Sequence, residues 1–154
     1  LRLIVVGGDG LHTPEGQRLL GLTRTFGVEE SIAFIGRIEQ KELPVYYNAA
    51  DVMVLASHYE SFGLVSIEAL ACGTPVVATP VGVIDTLIKQ GQNVQLVANG
   101  DAESLAKAID KVASLSPALS VDAIRQTVQV FGWPNIASAI IKEYEETLTF
   151  RNLM

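Results

Sequence analysis

Val52-Met53-Val54-Leu55, then Ser57-His58-Tyr59-Glu60-Ser61-Phe62, then Gly63-Leu64-Val65-Ser66-Ile67-Glu68-Ala69-Leu70-Ala71-Cys72 closed by Gly73, reads as a buried strand, a loop at its carboxyl end and a short helix. Open α/β sheets bind ligands at that carboxyl edge, so this order decides both the fold class and the place to look for a site. The backbone amides of Gly63, Leu64 and Val65 would lack intrahelical acceptors and could meet a phosphate or a sugar hydroxyl. Gly63 would remove a Cβ that could obstruct the approach. Glu68 follows Leu64 by four residues and shares its helix face.

Outward from this segment, short apolar strands alternate with helical patterns, the signature of a parallel sheet covered on both faces. The expected strands are Leu3 to Val6, Ile32 to Ile35, Val52 to Leu55, Val76 to Ala78 and Val94 to Val97. Thr13 can cap a crossover helix with Pro14 in its first turn, Leu19, Leu22 and Phe26 on one side, and Gly27 at its end. Asp101 opens another helix, in which Leu105, Ala108, Ile109 and Val112 share a face and which Ser116-Pro117 interrupts. Terminal helices are expected over about 117–150, the last placing Ile136, Ile140, Tyr144 and Leu148 in one stripe after Trp133-Pro134. The expected class is α/β, a Rossmann-like doubly wound parallel sheet.

With 154 residues and 49% hydrophobic content, the chain is sized for one well-buried domain. A net charge of -6 argues against a general nucleic-acid binder, which needs a basic face. The single cysteine, Cys72, excludes an intrachain disulfide framework, fits a reducing cytosol, and reads as a small apolar residue at a helix end before it reads as a reactive thiol. No apolar run approaches the ~20 residues that span a bilayer, and Leu1-Arg2-Leu3 is already strand-like, so no membrane helix or signal peptide is expected. A cytoplasmic location follows as the expectation.

Glu68 can accept two hydrogen bonds from vicinal hydroxyls, the chemistry of ribose recognition; the alternative is a solvated helix glutamate, on a helix with little other polar surface. Glu60, in the loop before the helix, could bind sugar hydroxyls or stabilise positive charge developing at an anomeric carbon, or it could be a loop glutamate without a role. As a glycosidase pair the two would be ~12 Å apart if helical throughout, beyond the ~5–9.5 Å used in hydrolysis. His58 reads as a surface or hydrogen-bonding histidine before it reads as a general base. Gly7-Gly8-Asp9-Gly10 could face a phosphate or a sugar, or simply turn the chain out of a strand. An NAD enzyme would want an acidic residue at the end of the next strand, where Gly36-Arg37 stands.

The pattern E-S-F-G-L-x-x-x-E at Glu60 to Glu68, followed by Ala69-Leu70-Ala71-Cys72-Gly73-Thr74-Pro75-Val76-Val77-Ala78, resembles the donor-binding signature of retaining GT-B glycosyltransferases of family 4 (glycosyl transferases group 1). The resemblance runs from Leu3 through Val6-Gly7-Gly8-Asp9-Gly10, Phe34-Ile35-Gly36-Arg37 and Leu43-Pro44-Val45-Tyr46-Tyr47-Asn48-Ala49-Ala50-Asp51 to Phe131-Gly132-Trp133. Within that family, Ser57 to Val65 is similar in wording to sucrose-phosphate synthases and to mycothiol-type N-acetylglucosaminyl transferases. The resemblance implies that residues 1–154 form the nucleotide-sugar donor-binding half, with UDP-sugars favoured and no metal cofactor required. It assigns Glu60 to the sugar near the reaction centre as the catalytic residue. It assigns Phe62, Gly63, Leu64, Val65, Glu68 and Gly8 to donor binding, with Arg37 and Ile38 in the loop that meets the nucleobase. Arg37 as an ordinary solvated charge is the alternative.

Such proteins begin this domain with a strand and a loop carrying an Arg and a Lys, and place an acceptor-binding domain before it; the sequence contains neither. If the family's strand order holds, the first strand would belong between Leu3 to Val6 and Val52 to Leu55, and an empty slot there would cost several kcal/mol in unpaired backbone groups. Either the chain is part of a larger protein or another segment fills that slot; on the first reading it is expected to be inactive alone, with the acceptor domain as its partner and any attachment to a membrane surface made through that domain. Relatives read V-G-G-x-P-E and T-G-L-L-V where this chain has Val81-Gly82-Val83-Ile84-Asp85-Thr86 and Asn93-Val94-Gln95-Leu96-Val97. The rival expectations are a non-catalytic nucleotide-sugar binding or partner module and a sugar-nucleotide epimerase of the same fold.

Overall fold

Among the described residues, five runs rich in β-branched and aliphatic residues become short parallel strands. The structure, a computed structural model, describes residues 1–84, 94–97 and 101–152. Asp85, Thr86 and Asn93, where the sequence departs from the family pattern, lie outside the described residues. The chain divides into two compact units, Leu1–Leu43 and Pro44–Met154.

The first unit is a β-α-β crossover: β1 (Leu3–Val6), α1 (Pro14–Phe26) and β2 (Ile32–Gly36). β1 and β2 pair in parallel from Leu3 opposite Ile32, with an irregularity between Val5 and Val6. The Thr13 hydroxyl accepts from the Gly16 amide at 3.1 Å and starts α1, as its sequence predicts, and Gly27, at φ 64°, ends it. Gly16 is needed for space, since a Cβ there would lie 2.5 Å from the Gly10 carbonyl oxygen. Leu19, Leu22 and Phe26 do share a side, where with Leu3, Val5 and Phe34 they line an apolar hollow.

The second unit contains α2 (Leu43–Ala49), β3 (Met53–Leu55), α3 (Leu64–Cys72), β4 (Val76–Ala78), β5 (Val94–Leu96), α4 (Ala102–Leu115), α5 (Val121–Gln126) and α6 (Trp133–Asn152). α2 begins at the last residue of the first unit. β4 is the central strand, parallel to β3 on one side and to β5 on the other. All three of its residues are buried, which is why they read as an unbroken Val-Val-Ala run. Val77, Val97, Ala108 and Val112 form a core cluster, with Val52, Leu105 and Ile109 packed against it, so the apolar face predicted for α4 is the face that is used. The Asp101 carboxylate accepts from the Ser104 amide at 2.8 Å and caps α4, which ends at Leu115 where the Ser-Pro pair is expected to interrupt it, in a 3-10 turn over Ser116–Ala118.

Among the described residues, neither β1 nor β3 has a strand along its other side. The terminal helix that aligns Ile136, Ile140, Tyr144 and Leu148 is present as α6; Ile136 is half-buried, and Ile140, Tyr144 and Leu148 are exposed. Among the described residues, no helix is long and apolar enough to cross a membrane.

Candidate functional site

The loop after β3 is held by the residue that follows β4. The Thr79 amide donates to the Leu55 carbonyl at 3.0 Å, and its buried hydroxyl donates to the Ser57 carbonyl at 2.5 Å. Ser57 in turn donates its own hydroxyl to Glu60 Oε1 at 3.1 Å. Glu60 is half-buried, while His58 and Tyr59 are exposed, and the bond from Ser57 fixes the carboxylate within the loop. Further along, the Phe62 carbonyl accepts from the Val83 amide at 2.9 Å, and the Phe62 ring meets Phe131 edge to face at 6.0 Å. A Cβ on Gly82 would lie 2.5 Å from the Phe62 oxygen, so the turn at Val81 to Ile84 backs the loop tightly.

Gly63 stands at the helix entrance with φ 83°, a left-handed conformation that side chains other than glycine's rarely adopt. Room is not the reason for the glycine within this chain: a Cβ there would meet only Leu55 Cδ2, at an ordinary 3.8 Å. Gly63 is thus the cap of α3 rather than its first residue. Leu64 and Val65 begin the helix, and their amides have no preceding turn to bond with. Leu64 is exposed and Val65 half-buried, whereas Ser66, Ala69 and Leu70 on the other face are buried in the core.

Glu68, half-buried and on the Leu64 face of α3, accepts a hydrogen bond from the Tyr47 hydroxyl at 3.1 Å. Tyr47 lies on α2 and is only 8% exposed. Its backbone carbonyl accepts from the buried Thr74 hydroxyl at 2.6 Å, and the Thr74 amide donates to the Ala69 carbonyl of α3 at 2.9 Å. Thr74 and Thr79 therefore bracket β4, and each clamps the main chain of a residue whose hydroxyl holds a glutamate. Burial, reinforced by the neighbouring Glu68 carboxylate, pushes the Tyr47 hydroxyl well above the ordinary phenol range. It consequently stays protonated and acts as donor. Burial also raises the Cys72 thiol, which fits a packing role better than a nucleophilic one.

In the first unit, β1 and β2 run in parallel and their carboxyl ends lie together. Gly8 is exposed at φ 79° in the turn leaving β1. Arg37, just after β2, forms an exposed ion pair with Asp9 of that turn, and Ile38 beside it is half-buried.

The sequence profile of the glycosyl transferases group 1 matches residues 1–127. The chain belongs to this family. The D-inositol 3-phosphate glycosyltransferase of Acidothermus cellulolyticus is 37% identical over 97% of the chain and 34% of its own length. Among solved structures, sucrose-phosphate synthase from Thermosynechococcus elongatus has a TM-score of 0.81 at 35% identity, covering 96% of this chain and 39% of that one. A pneumococcal O-GlcNAc transferase in complex with UDP and GlcNAc has a TM-score of 0.70 at 26% identity, covering 96% of this chain and 30% of that one. The chain thus spans about a third of the length of these relatives. The family expected from the Glu60 to Glu68 motif and both finer likenesses expected from Ser57 to Val65 are borne out, as is the parallel α/β fold.

For a glycosyl transferase of group 1, the residues that sequence reasoning passed over are the holders: Tyr47, Ser57, Thr74 and Thr79. A signal was present in the threonines, polar residues set directly before and one residue beyond the apolar Pro75 to Ala78 run, where an unsatisfied hydroxyl would be costly. Tyr47 offered none, because the distance between α2 and α3 is a tertiary fact.

Proposed function

We propose that this chain is the donor-binding half of a retaining glycosyltransferase that moves a hexosyl group from a nucleotide diphosphate sugar, with a UDP-sugar favoured, to an acceptor bound elsewhere in the protein. The observation that carries the reading is the pair of half-buried carboxylates in the loop and helix that follow β3, Glu60 before α3 and Glu68 within it, each bonded by a hydroxyl. Glu68 receives the two ribose hydroxyls, since a carboxylate accepts a vicinal pair from one side. The entrance of α3, with the left-handed Gly63 turning the chain into it, presents the Leu64 and Val65 amides to the diphosphate or to the sugar. Glu60 holds the sugar and stabilises the positive charge that grows at the anomeric carbon as the bond to the diphosphate lengthens. Support for UDP comes from the similar transferase captured with UDP and GlcNAc, and support for sugar transfer from the D-inositol 3-phosphate glycosyltransferase relative.

The test uses the full-length protein that carries this chain. Titration with UDP and GDP should give binding that Glu68→Ala weakens by ~1–3 kcal/mol, the worth of hydrogen bonds to a charged group. Glu60→Gln should lower turnover of radiolabelled donor much more than it lowers UDP affinity. Failure to bind either nucleotide, or a Glu60→Gln variant with full turnover, would overturn the reading.

A further inference from the structure

The Tyr47 hydroxyl is more than a packing accessory. A phenylalanine would fill nearly the same space, yet the buried ring ends in an oxygen placed 3.1 Å from Glu68 Oε2. The opposite end of the residue is fixed as well: its carbonyl accepts from the Thr74 hydroxyl at 2.6 Å and from the Ala50 amide at 3.1 Å. Thr74 completes a closed circuit, because its amide bonds Ala69, the residue after Glu68. The circuit runs from Glu68 through the rigid tyrosine ring to the α2 main chain, through Thr74, and back to α3. Its effect is to tie the end of a flexible glutamate to a buried frame. A carboxylate offers about four acceptor sites, of which the tyrosine bond occupies one.

We propose that Tyr47 is a positioning residue for nucleotide recognition: its hydroxyl holds the Glu68 carboxylate in the orientation that receives both ribose hydroxyls. The inference rests on the ribose role proposed above for Glu68. Preorganising that carboxylate removes the rotamer freedom it would otherwise lose on binding, so the benefit is confined to ligands that carry the diol.

The experiment compares UDP with 2′,3′-dideoxy-UDP by titration calorimetry on the full-length protein, its Glu68→Ala and Tyr47→Phe variants, and Thr74→Val. The preference for UDP over the dideoxy nucleotide should collapse in Glu68→Ala. In Tyr47→Phe it should narrow about three- to tenfold through loss of UDP affinity alone, less than the full worth of a hydrogen bond to a charged group, because the diol's own bonds to Glu68 remain. Thr74→Val keeps the Tyr47 hydroxyl but removes one of the two bonds that hold the Tyr47 carbonyl, and should narrow the preference in the same direction by less; it serves if Tyr47→Phe does not fold. Equal losses for both nucleotides, or an unchanged preference in the folded variant, would overturn the role of Tyr47. If Glu68→Ala narrows the preference and Tyr47→Phe does not, the ribose reading stands and only the positioning role falls. An unchanged preference in Glu68→Ala sinks both.

Discussion

Ser57 donates its hydroxyl to Glu60 Oε1 at 3.1 Å, and this bond joins the start of the loop after β3 to its proposed catalytic carboxylate. The bond spans three residues, but it rests on a longer tie, since the Ser57 carbonyl is itself held by Thr79 across the sheet. Removing the serine oxygen should therefore leave the loop path intact while releasing the glutamate to other rotamers. Ser57→Ala is expected to lower kcat about fivefold, corresponding to ~1 kcal/mol for a partly exposed bond to a charged group, with UDP affinity little changed. Parallel measurement of kcat and UDP affinity checks it; equal losses in both would mean that the serine shapes the nucleotide site in general.

Much of this arrangement was legible in the sequence because it is local. Glu60, Gly63 and Glu68 lie within nine consecutive residues, and strand, loop and helix follow from their order, so the apolar pattern sufficed to set Glu60 in the loop after β3 and Glu68 on the helix that follows. The Thr13 and Asp101 caps were legible for the same reason, each bond spanning three residues. What could not be read was contact between distant segments. Tyr47 is 21 residues from Glu68, Thr79 is 22 from Ser57, and periodicity carries no information about either separation. The α6 stripe shows the same limit: a four-residue spacing tells which residues share a face, but not whether anything covers it, and Ile140, Tyr144 and Leu148 are exposed.

Alkaline pH should expose the burial of Tyr47. Its hydroxyl titrates above the ordinary value of 10.0 in the folded chain, so between the two values the unfolded state has lost the proton and the folded state has not. Stability conferred by the protonated phenol is thus fully present below about pH 10 and falls as pH rises beyond it. Denaturant midpoints measured from pH 8 to pH 11 should show this fall, and Tyr47→Phe should flatten it. A Tyr47→Phe variant with an unchanged slope would assign the alkaline loss to other groups.

The turn behind the loop predicts a backbone effect. Gly82 has φ 61°, and a Cβ there would sit 2.5 Å from the Phe62 carbonyl oxygen. Gly82→Ala must therefore adopt a left-handed conformation and push against backbone that cannot swing aside. The conformational part alone costs ~1–2 kcal/mol, and in a chain of this size each kcal/mol lowers Tm by roughly 2–4 °C. Because Phe62 leads directly into Gly63, donor affinity should fall together with Tm. Calorimetric unfolding and UDP titration on the same variant check both, and an alanine variant as stable as the parent would show that the turn is looser than this geometry.

Ser66 supplies a prediction of the opposite sign. It is fully buried on the core face of α3, and its hydroxyl oxygen has no hydrogen-bond partner among the described residues. Leaving a buried hydroxyl unsatisfied costs ~1–3 kcal/mol, whereas its removal creates almost no cavity. Alanine is also the better helix former, by a few tenths of a kcal/mol. Ser66→Ala should consequently stabilise the fold by ~1 kcal/mol, seen as a higher denaturant midpoint at unchanged slope. Donor affinity should be unaffected, because the residue faces away from Leu64 and Glu68. A destabilised variant would show that the Ser66 oxygen has a partner beyond the described residues, or a buried water, and that α3 is anchored through it.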